Sequence, residues 1–250
     1  MQSIEEFSEL SLYIDDLVRQ AAELDVRIDI CDNFKELQEL VETTEGRAPL
    51  TPVFDWRYSN ISSENGFWIK GTSSSGQLVH MQAARIDTTE GKSLADYLRE
   101  QASLYLSPHI PAIAEQSTFD TCWWMRESKG KVCYHGEIWI SPHDGFRGRG
   151  LARILPRIVP PIAYRKWQPD CFYGMMAPKL AERGMSAQYG YSHYHPLGIR
   201  WKLRDGNGTF DEYVAWSTPD DMVALMESYK AQASYNPPDN QAAKRKGISI

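Results

Sequence analysis

The sequence predicts a mixed α/β domain whose sheet is mostly antiparallel, with one parallel step at its centre. Three observations support this fold class. Runs of alternating apolar residues are joined by short turn-forming segments, as in antiparallel strands. Near the middle of the chain a strand is followed by a glycine-rich loop, an apolar helix face and a further strand, which is the order of a parallel step. Amphipathic helices flank the strands at both ends.

The first half of the chain supplies two helices, a strand, a loop, a hairpin and a further helix. Apolar residues three and four apart predict helices over residues 4–24, after Asn33, and over 93–106. Alternating residues from Val26 to Ile30 predict a strand, and residues 46–65 predict a loop that includes a short helix. Strands over 66–71 and 77–88 are joined by a serine-rich turn, which predicts a hairpin.

The second half predicts further strands and helices around the glycine-rich loop. Strands are expected over 121–127, 131–141 and 171–177, and a final pair over 192–203 and 212–217. Helices are expected over 151–162, kinked by Pro156, then over 179–183 and 220–233. We therefore predict an N-terminal helical extension (1–25), a main domain (26–218), and a C-terminal helix with a mobile tail (219–250).

Composition excludes several classes of protein. Hydrophobic residues make up 42% of the 250 residues and charged residues 24%, which is ordinary for a globular protein. The net charge of −6 argues against a nucleic-acid partner, and no apolar run is long enough for a membrane span. The first residues do not resemble a secretory signal, so we expect a cytoplasmic protein. A homodimer is the commonest assembly of such chains.

Cysteine and histidine spacing does not predict a metal site. The 4 cysteines are scattered without a Cys-x-x-Cys motif, and we expect them to be buried, reduced thiols. His193 and His195 occupy alternate positions of a predicted strand, but no carboxylate or cysteine stands at ligand spacing beside them. The prediction is therefore that the protein binds no metal.

The most informative segment runs from Gly136 to Ala152. A strand leads into a loop in which Gly148 and Gly150 precede an apolar helix face. This arrangement places several backbone N–H groups at the positive end of a helix, and such a group of donors binds phosphate. Glycine suits the loop because a side chain would keep the anion away from the backbone.

The same segment resembles the GNAT superfamily of N-acetyltransferases, whose signature is Arg/Gln-x-x-Gly-x-Gly/Ala. Arg147, Gly150 and Ala152 match it, and the order of elements agrees from Val26 to Ser217. The resemblance implies acetyl-CoA or another acyl-CoA as co-substrate, an amine acceptor, and a pantetheine arm between two splayed central strands. The residues it implies for this ligand are Ile138, Trp139 and Ile140 beside the arm, and Phe146, Arg147, Gly148, Arg149, Gly150, Leu151 and Ala152 around the pyrophosphate.

The sequence leaves alternatives open for the catalytic groups. Glu137 lies on the strand before the loop, on the face expected to carry His135 and Trp139, and is a candidate base; a salt-bridged glutamate is the alternative. The tyrosine that protonates the leaving thiolate in many family members is replaced by Leu180. Tyr173 is the candidate acid that we choose, with a packing role as the alternative.

These observations lead to two main functional hypotheses, and an O-acyl or aminoacyl transferase on the same fold is a third that would differ in its donor. The first is an N-acyltransferase that transfers an acetyl group from acetyl-CoA to an amine of a small molecule or peptide by direct attack. The second is a catalytically degenerate member that binds acyl-CoA as a sensor or interaction module, which the leucine at position 180 keeps open.

Overall fold

Alternating apolar residues build a single sheet from eight strands within residues 4–143 and 145–234, the part of the chain that the computed structural model describes. The strands are β1 (Arg27–Cys31), β2 (Gly66–Thr72), β3 (Leu78–Thr88), β4 (Ala112–Thr118), β5 (Lys131–Ile140), β6 (Cys171–Met176), β7 (His193–Leu203) and β8 (Thr209–Ser217). Their order across the sheet is β1-β2-β3-β5-β6-β8-β7-β4. Only β5 and β6 pair in parallel, so the predicted fold class is confirmed.

Helices cover both faces of this sheet. They are α1 (Ile4–Glu23), α2 (Phe34–Thr43), α3 (Leu94–Glu100), α4 (Ala102–Tyr105), α5 (Trp123–Glu127), α6 (Val159–Trp167), α7 (Pro178–Ala181), α8 (Met185–Gln188) and α9 (Pro219–Ser234). Residues of α1, α6 and α9 share one hydrophobic core, and residues of α2 to α5 share the other. The two faces are called the α6 face and the α3 face below.

Strand β2 shows how the sequence pattern produces two cores. Phe67 and Ile69 point into the core on the α6 face, whereas Trp68 between them points into the core on the α3 face. Successive side chains of a strand alternate between the faces, so a continuous apolar strand is buried on both sides. The sheet is therefore a central layer between two layers of helices.

One predicted strand is wrong. Residues 121–127 were expected to be extended, but Trp123–Glu127 is the helix α5, and the strand of this region is β4, where no strand was expected from the sequence. Aromatic residues favour strands statistically because they pack well on a pleated surface. Here Trp124 stacks on Trp216 at 4.7 Å between ring centroids, and a helical turn satisfies that contact equally well.

The predicted helices lie in the expected segments, but not always in the expected form. Residues 93–106 form two helices that meet at Gln101. Residues 151–162 were expected to form a kinked helix, but Leu151–Arg153 and Leu155–Ile158 are 3₁₀ turns, and the regular helix α6 begins only at Val159. Proline lacks the N–H that the interior of an α-helix needs but is tolerated in its first turn, so the regular helix begins just before Pro160 and Pro161 and does not extend back to Pro156.

The ends of the chain are only partly described. Leu10 and Leu17 of α1 are buried in the α6-face core, which also contains Met222 and Met226 of α9. The division into 1–25, 26–218 and 219–250 stays a prediction. The predicted tail after residue 234, with its basic cluster Lys244–Lys246, lies outside the described residues.

Candidate active site

The two central strands separate where the predicted ligand site begins. Strands β5 and β6 pair from Val132↔Cys171 to Tyr134↔Tyr173. Beyond these residues β5 continues to Ile140 beside β3, while β6 continues beside β8. The parallel strands therefore diverge, as the resemblance implied, and leave an opening between the last residues of each.

A cavity of about 290 Å³ occupies this opening. Its walls come from β5, β6, β8 and from three surrounding segments. The residues that line it include Arg47, Tyr105, Tyr134, His135, Glu137, Ile138, Leu180, Tyr189, Tyr191, Phe210 and Glu212. Its volume is close to that of small-molecule sites. Its lining of aromatic rings with a few carboxylate and cationic groups is also typical of such sites.

A β-bulge in β5 decides which side chains reach the cavity. Opposite β3 the register passes from Ala83↔Gly136 to Met81↔Trp139, and Glu137 has a φ of 57°. A bulge adds one residue and reverses the alternation after it. The expectation that Glu137 shares a face with His135 is therefore wrong. Glu137 lies on the α3 face with Trp139, whereas His135 hydrogen-bonds to Gln82, whose own partner is Leu155 of the α6-face core.

The bulge also sets the direction of the backbone groups after it. His80 Nδ1 of β3 donates a hydrogen bond to the Trp139 carbonyl at 2.7 Å, and the Ser141 N–H donates to the Val79 carbonyl at 2.8 Å. These groups of Trp139 and Ser141 thus face β3. Backbone groups alternate along a strand, so those of Ile138 and Ile140 face the opening. Of the three residues predicted beside the pantetheine arm, Ile138 and Ile140 present backbone groups to that space and Trp139 does not.

Glu137 is buried and fully engaged by the protein. Arg47 Nη2 donates to Glu137 Oε2 at 2.5 Å, and the Thr51 N–H donates to Oε1 at 2.9 Å. Only 5% of the glutamate side chain is exposed. This is the salt-bridged arrangement that the sequence left open as the alternative to a catalytic base. Glu137 lines the cavity, and its two oxygens anchor the loop that carries Arg47 and Thr51.

Glu212 of β8 is a second carboxylate in the same cavity, and sequence reasoning missed it. Trp201 Nε1 donates to Glu212 Oε2 at 2.7 Å, and no cation pairs with this carboxylate among the described residues. Burial raises the pKa of Glu212 to about 7. A carboxyl group that titrates near neutral pH, inside a cavity, is suited to accept a proton from a substrate. The only feature of the sequence that pointed to Glu212 was its position in the predicted strand 212–217.

Some tyrosines of this region line the cavity, whereas Tyr173 is buried away from it. Tyr134 lines the cavity, and burial together with the negative charges of Glu212 and Glu137 raises the pKa of its hydroxyl well above the ordinary value. Tyr173, the acid chosen from sequence, is fully buried beside Tyr134 and does not line the cavity. Burial raises the pKa of the Tyr173 hydroxyl well above its ordinary value. Tyr189 and Tyr191 do line the cavity.

The glycine-rich loop follows β5 on the α6 side of the opening. Gly148 and Gly150 have φ values of 71° and 83°, which glycine adopts without strain. From Gly148 to Ala152, no backbone N–H donates a hydrogen bond to any other described residue. Phe146 and Leu151 are buried and anchor the loop, while Arg147 and Arg149 are exposed. The loop thus presents consecutive N–H donors and two cations.

One part of the phosphate-site prediction is wrong. The residues after Gly150 form a 3₁₀ turn of three residues instead of the first turn of an α-helix. So short a turn has no aligned run of peptide dipoles, and the helix-dipole contribution is lost. The group of N–H donors stays, because it depends on the local backbone and not on a long helix.

The loop and the cavity are neighbours. Ala152 of the loop and Ile138 of β5 pack against the same small cluster, which contains Met176, Ala181 and Tyr189. Ile138 and Tyr189 also line the cavity. An extended ligand with its anionic end at the loop would therefore reach the cavity along Ile138.

No protein-family model and no curated protein matches the sequence. Solved structures do match. NAA60 of Arabidopsis thaliana in complex with acetyl-CoA is 11% identical, with a TM-score of 0.43, over 78% of this chain and 99% of that one. A spermidine N-acetyltransferase of Vibrio cholerae with CoA and spermine is 8% identical, with a TM-score of 0.43, over 80% and 98%.

A third similar structure is an aminoglycoside acetyltransferase, AAC(6')-Ib, with coenzyme A and kanamycin. It is 12% identical, with a TM-score of 0.43, over 80% of this chain and 98% of that one. Two of these three similar structures are acetyltransferases by name.

The other sequence-based candidates lie apart from the cavity. His193 pairs with Asp221 at 3.1 Å and stacks on Trp216, and within the described residues no group of histidine, cysteine, aspartate and glutamate could hold a metal ion. Cys122, Cys133 and Cys171 are buried free thiols, and Cys31 is partly buried. None of the helices that the structure describes has the length and apolar character for crossing a membrane.

Proposed function

We propose that this protein is an acyl-CoA-dependent N-acyltransferase that transfers an acetyl group from acetyl-CoA to an amine of a small molecule or peptide. One observation carries the proposal. The opening between β5 and β6 holds a carboxyl group, Glu212, whose pKa is about 7, and it adjoins a loop whose backbone N–H groups from Gly148 to Ala152 donate to no other described residue. The first feature suits deprotonation of an amine, and the second suits a pyrophosphate.

The co-substrate would be bound in two parts. The N–H groups from Gly148 to Ala152 would hold the pyrophosphate, with the exposed guanidinium groups of Arg147 and Arg149 adding positive charge. Backbone groups of Ile138 and Ile140 would pair with the pantetheine arm in the opening. The thioester would then lie in the cavity, close to Tyr134 and Glu212.

Glu212 would act as the general base in place of Glu137. Its carboxylate removes a proton from the acceptor ammonium, and the freed nitrogen lone pair attacks the thioester carbonyl carbon. A backbone N–H facing the opening stabilises the negative charge on the carbonyl oxygen. The C–S bond then breaks, and the thiolate takes up the proton that the nitrogen loses when the amide forms. Glu137 keeps the Arg47 loop in place around the cavity.

Calorimetric titration with acetyl-CoA and with CoA tests the binding part. A Gly150→Glu variant places a carboxylate in the group of N–H donors, and we expect it to abolish binding of both ligands. Gly150→Ala is the matched control, since it introduces only the strain of a φ of 83° and should weaken binding severalfold. Failure of the unmodified protein to bind either ligand would overturn the proposal.

Thiol release from acetyl-CoA across a panel of primary amines tests turnover. Release that depends on the amine supports the transferase. Tight binding of acetyl-CoA without release for any amine would instead favour the acyl-CoA-binding module, the alternative that Leu180 at the rim of the cavity keeps open.

A further inference from the structure

A buried chain of hydrogen bonds ends at the opening between β5 and β6. Tyr191 Oη lies 3.1 Å from His135 Nδ1, and His135 Nε2 lies 2.8 Å from Gln82 Oε1. Gln82 Nε2 in turn donates to the Leu155 carbonyl at 2.7 Å. Gln82 and His135 are almost completely buried. The chain therefore runs from the segment that follows the glycine-rich loop to a tyrosine that lines the cavity.

The chemistry of the chain allows only one direction for its hydrogen bonds. The Leu155 carbonyl can only accept, so the amide of Gln82 must present its Nε2 there and its oxygen to His135. His135 must then donate from Nε2. Burial lowers the pKa of His135 to about 3, so the neutral ring carries a single N–H and Nδ1 is an acceptor. The Tyr191 hydroxyl must donate to that nitrogen.

This direction leaves the Tyr191 oxygen as an acceptor at the start of the opening. A Cβ placed on Gly174 would lie 2.5 Å from Tyr191 Oη, so the hydroxyl occupies the space beside this cavity-lining glycine. Among the described residues no donor reaches the oxygen. An unused acceptor in a buried site is complemented by an N–H of whatever fills that site.

The position of the acceptor indicates which ligand group it meets. His135 and Tyr191 lie on the side of the sheet that carries the glycine-rich loop, and Tyr191 packs with Ile138 and Ala152. Glu212 lies on the α3 face, where Trp201 and Phe210 pack. If the amine is deprotonated by Glu212, the group near Tyr191 belongs to the arm that arrives from the loop.

We propose that Tyr191 Oη accepts a hydrogen bond from an amide N–H of the pantetheine arm, and that His135 and Gln82 hold it in that direction. This proposal rests on the proposed function. It makes Tyr191 a determinant of donor specificity. It also excludes Tyr191 as a simple proton donor to the thiolate, because its own proton is committed to His135.

Titration calorimetry with modified donors tests the proposal on the unmodified protein. The probes are acetyl-CoA and two analogues in which one or the other pantetheine amide N–H is replaced by an ester oxygen. We expect one analogue to bind about fivefold more weakly, the loss of a single hydrogen bond. If acetyl-CoA binds but neither analogue is weakened, this inference is wrong while the proposed function stands. If acetyl-CoA does not bind, both fall.

A Tyr191→Phe variant sharpens the test. It should bind acetyl-CoA about fivefold more weakly and no longer discriminate between acetyl-CoA and the sensitive analogue. Tyr189→Phe is the matched control, since Tyr189 lines the same cavity without joining the chain, and this variant should discriminate as the unmodified protein does. Full discrimination in Tyr191→Phe would overturn the assignment.

Nitrogen-15 NMR of the histidine side chains gives a readout that needs no ligand and no variant. His135 should be in the Nε2–H tautomer and should not titrate between pH of about 5 and about 8. An Nδ1–H tautomer would mean that Tyr191 accepts from His135, and it would overturn the proposed direction even if acetyl-CoA binds.

Discussion

Glu137 and Glu212 are two carboxylates in one cavity, and their surroundings give them different properties. Glu137 is held by the guanidinium of Arg47 and by the N–H of Thr51. Glu212 accepts one hydrogen bond from a neutral indole, and burial raises its pKa to about 7. The comparison teaches that a residue type at a strand position does not decide its chemistry. The charge and donors around it decide whether it is an anchor or a base.

The largest expected effect separates the two carboxylates by catalysis. Glu212→Gln keeps the shape and the bond from Trp201 but cannot accept a proton, so we expect kcat to fall by about 10²- to 10⁴-fold. Calorimetric binding of acetyl-CoA should stay within about twofold, because the base acts on the amine. If the variant retains full turnover with the best amine, Glu212 is not the base, and the two carboxylates do not differ in catalytic role.

The second expected effect is on the free energy of unfolding and distinguishes Glu137 from Glu212. Arg47→Ala leaves the buried carboxylate of Glu137 without its cation, and we expect the free energy of unfolding to fall by about 3 kcal/mol in urea denaturation. Lys70→Ala provides the control, since its pair with Glu36 at 3.1 Å is much less buried than the Arg47–Glu137 pair and should contribute less than about 1 kcal/mol. Equal losses in the two variants would show that Glu137 is not an anchored charge.

The third effect concerns the pH dependence of stability and comes from Glu212 alone. Its folded-state pKa of about 7 lies above the ordinary value of 4.5, so the folded protein holds this proton more tightly than the unfolded chain. That contribution is fully present below pH of about 4.5 and is lost as the pH rises through 7. Relative to Glu212→Gln, the unmodified protein should lose about 3 kcal/mol or less between pH of about 4 and about 8.

Urea denaturation of both proteins at the two pH values measures this difference, and the comparison cancels the other titrating groups that the proteins share. Parallel curves for the two proteins would show that the pKa of Glu212 is not raised. The environment of Glu212 would then not differ from that of an ordinary carboxyl group.

The failures of sequence prediction have particular physical causes. Residues 121–127 carry strand-favouring aromatic residues, yet Trp124 takes a helical turn because the contact with Trp216 comes from a distant strand. The bulge at Glu137 changes which side chains face the cavity. The local pattern of apolar residues does not indicate that β5 has one extra residue opposite β3. Leu151–Arg153 tightens to 3₁₀ geometry within the reach of Pro156, which the sequence indicated only as a kink.

The sequence by itself determined most of the order of helices and strands, the mixed sheet and the glycine-rich loop, because hydrophobic period and glycine conformation act over a few neighbouring residues. Only the tertiary structure decided which carboxylate is paired with Arg47, which is desolvated in the cavity, and which way Tyr191 donates. Those properties depend on partners at residues 47, 82 and 201, far from the motif in the chain, and on His135, which directly precedes the motif. Burial and charge around a group are set by what the fold brings beside it.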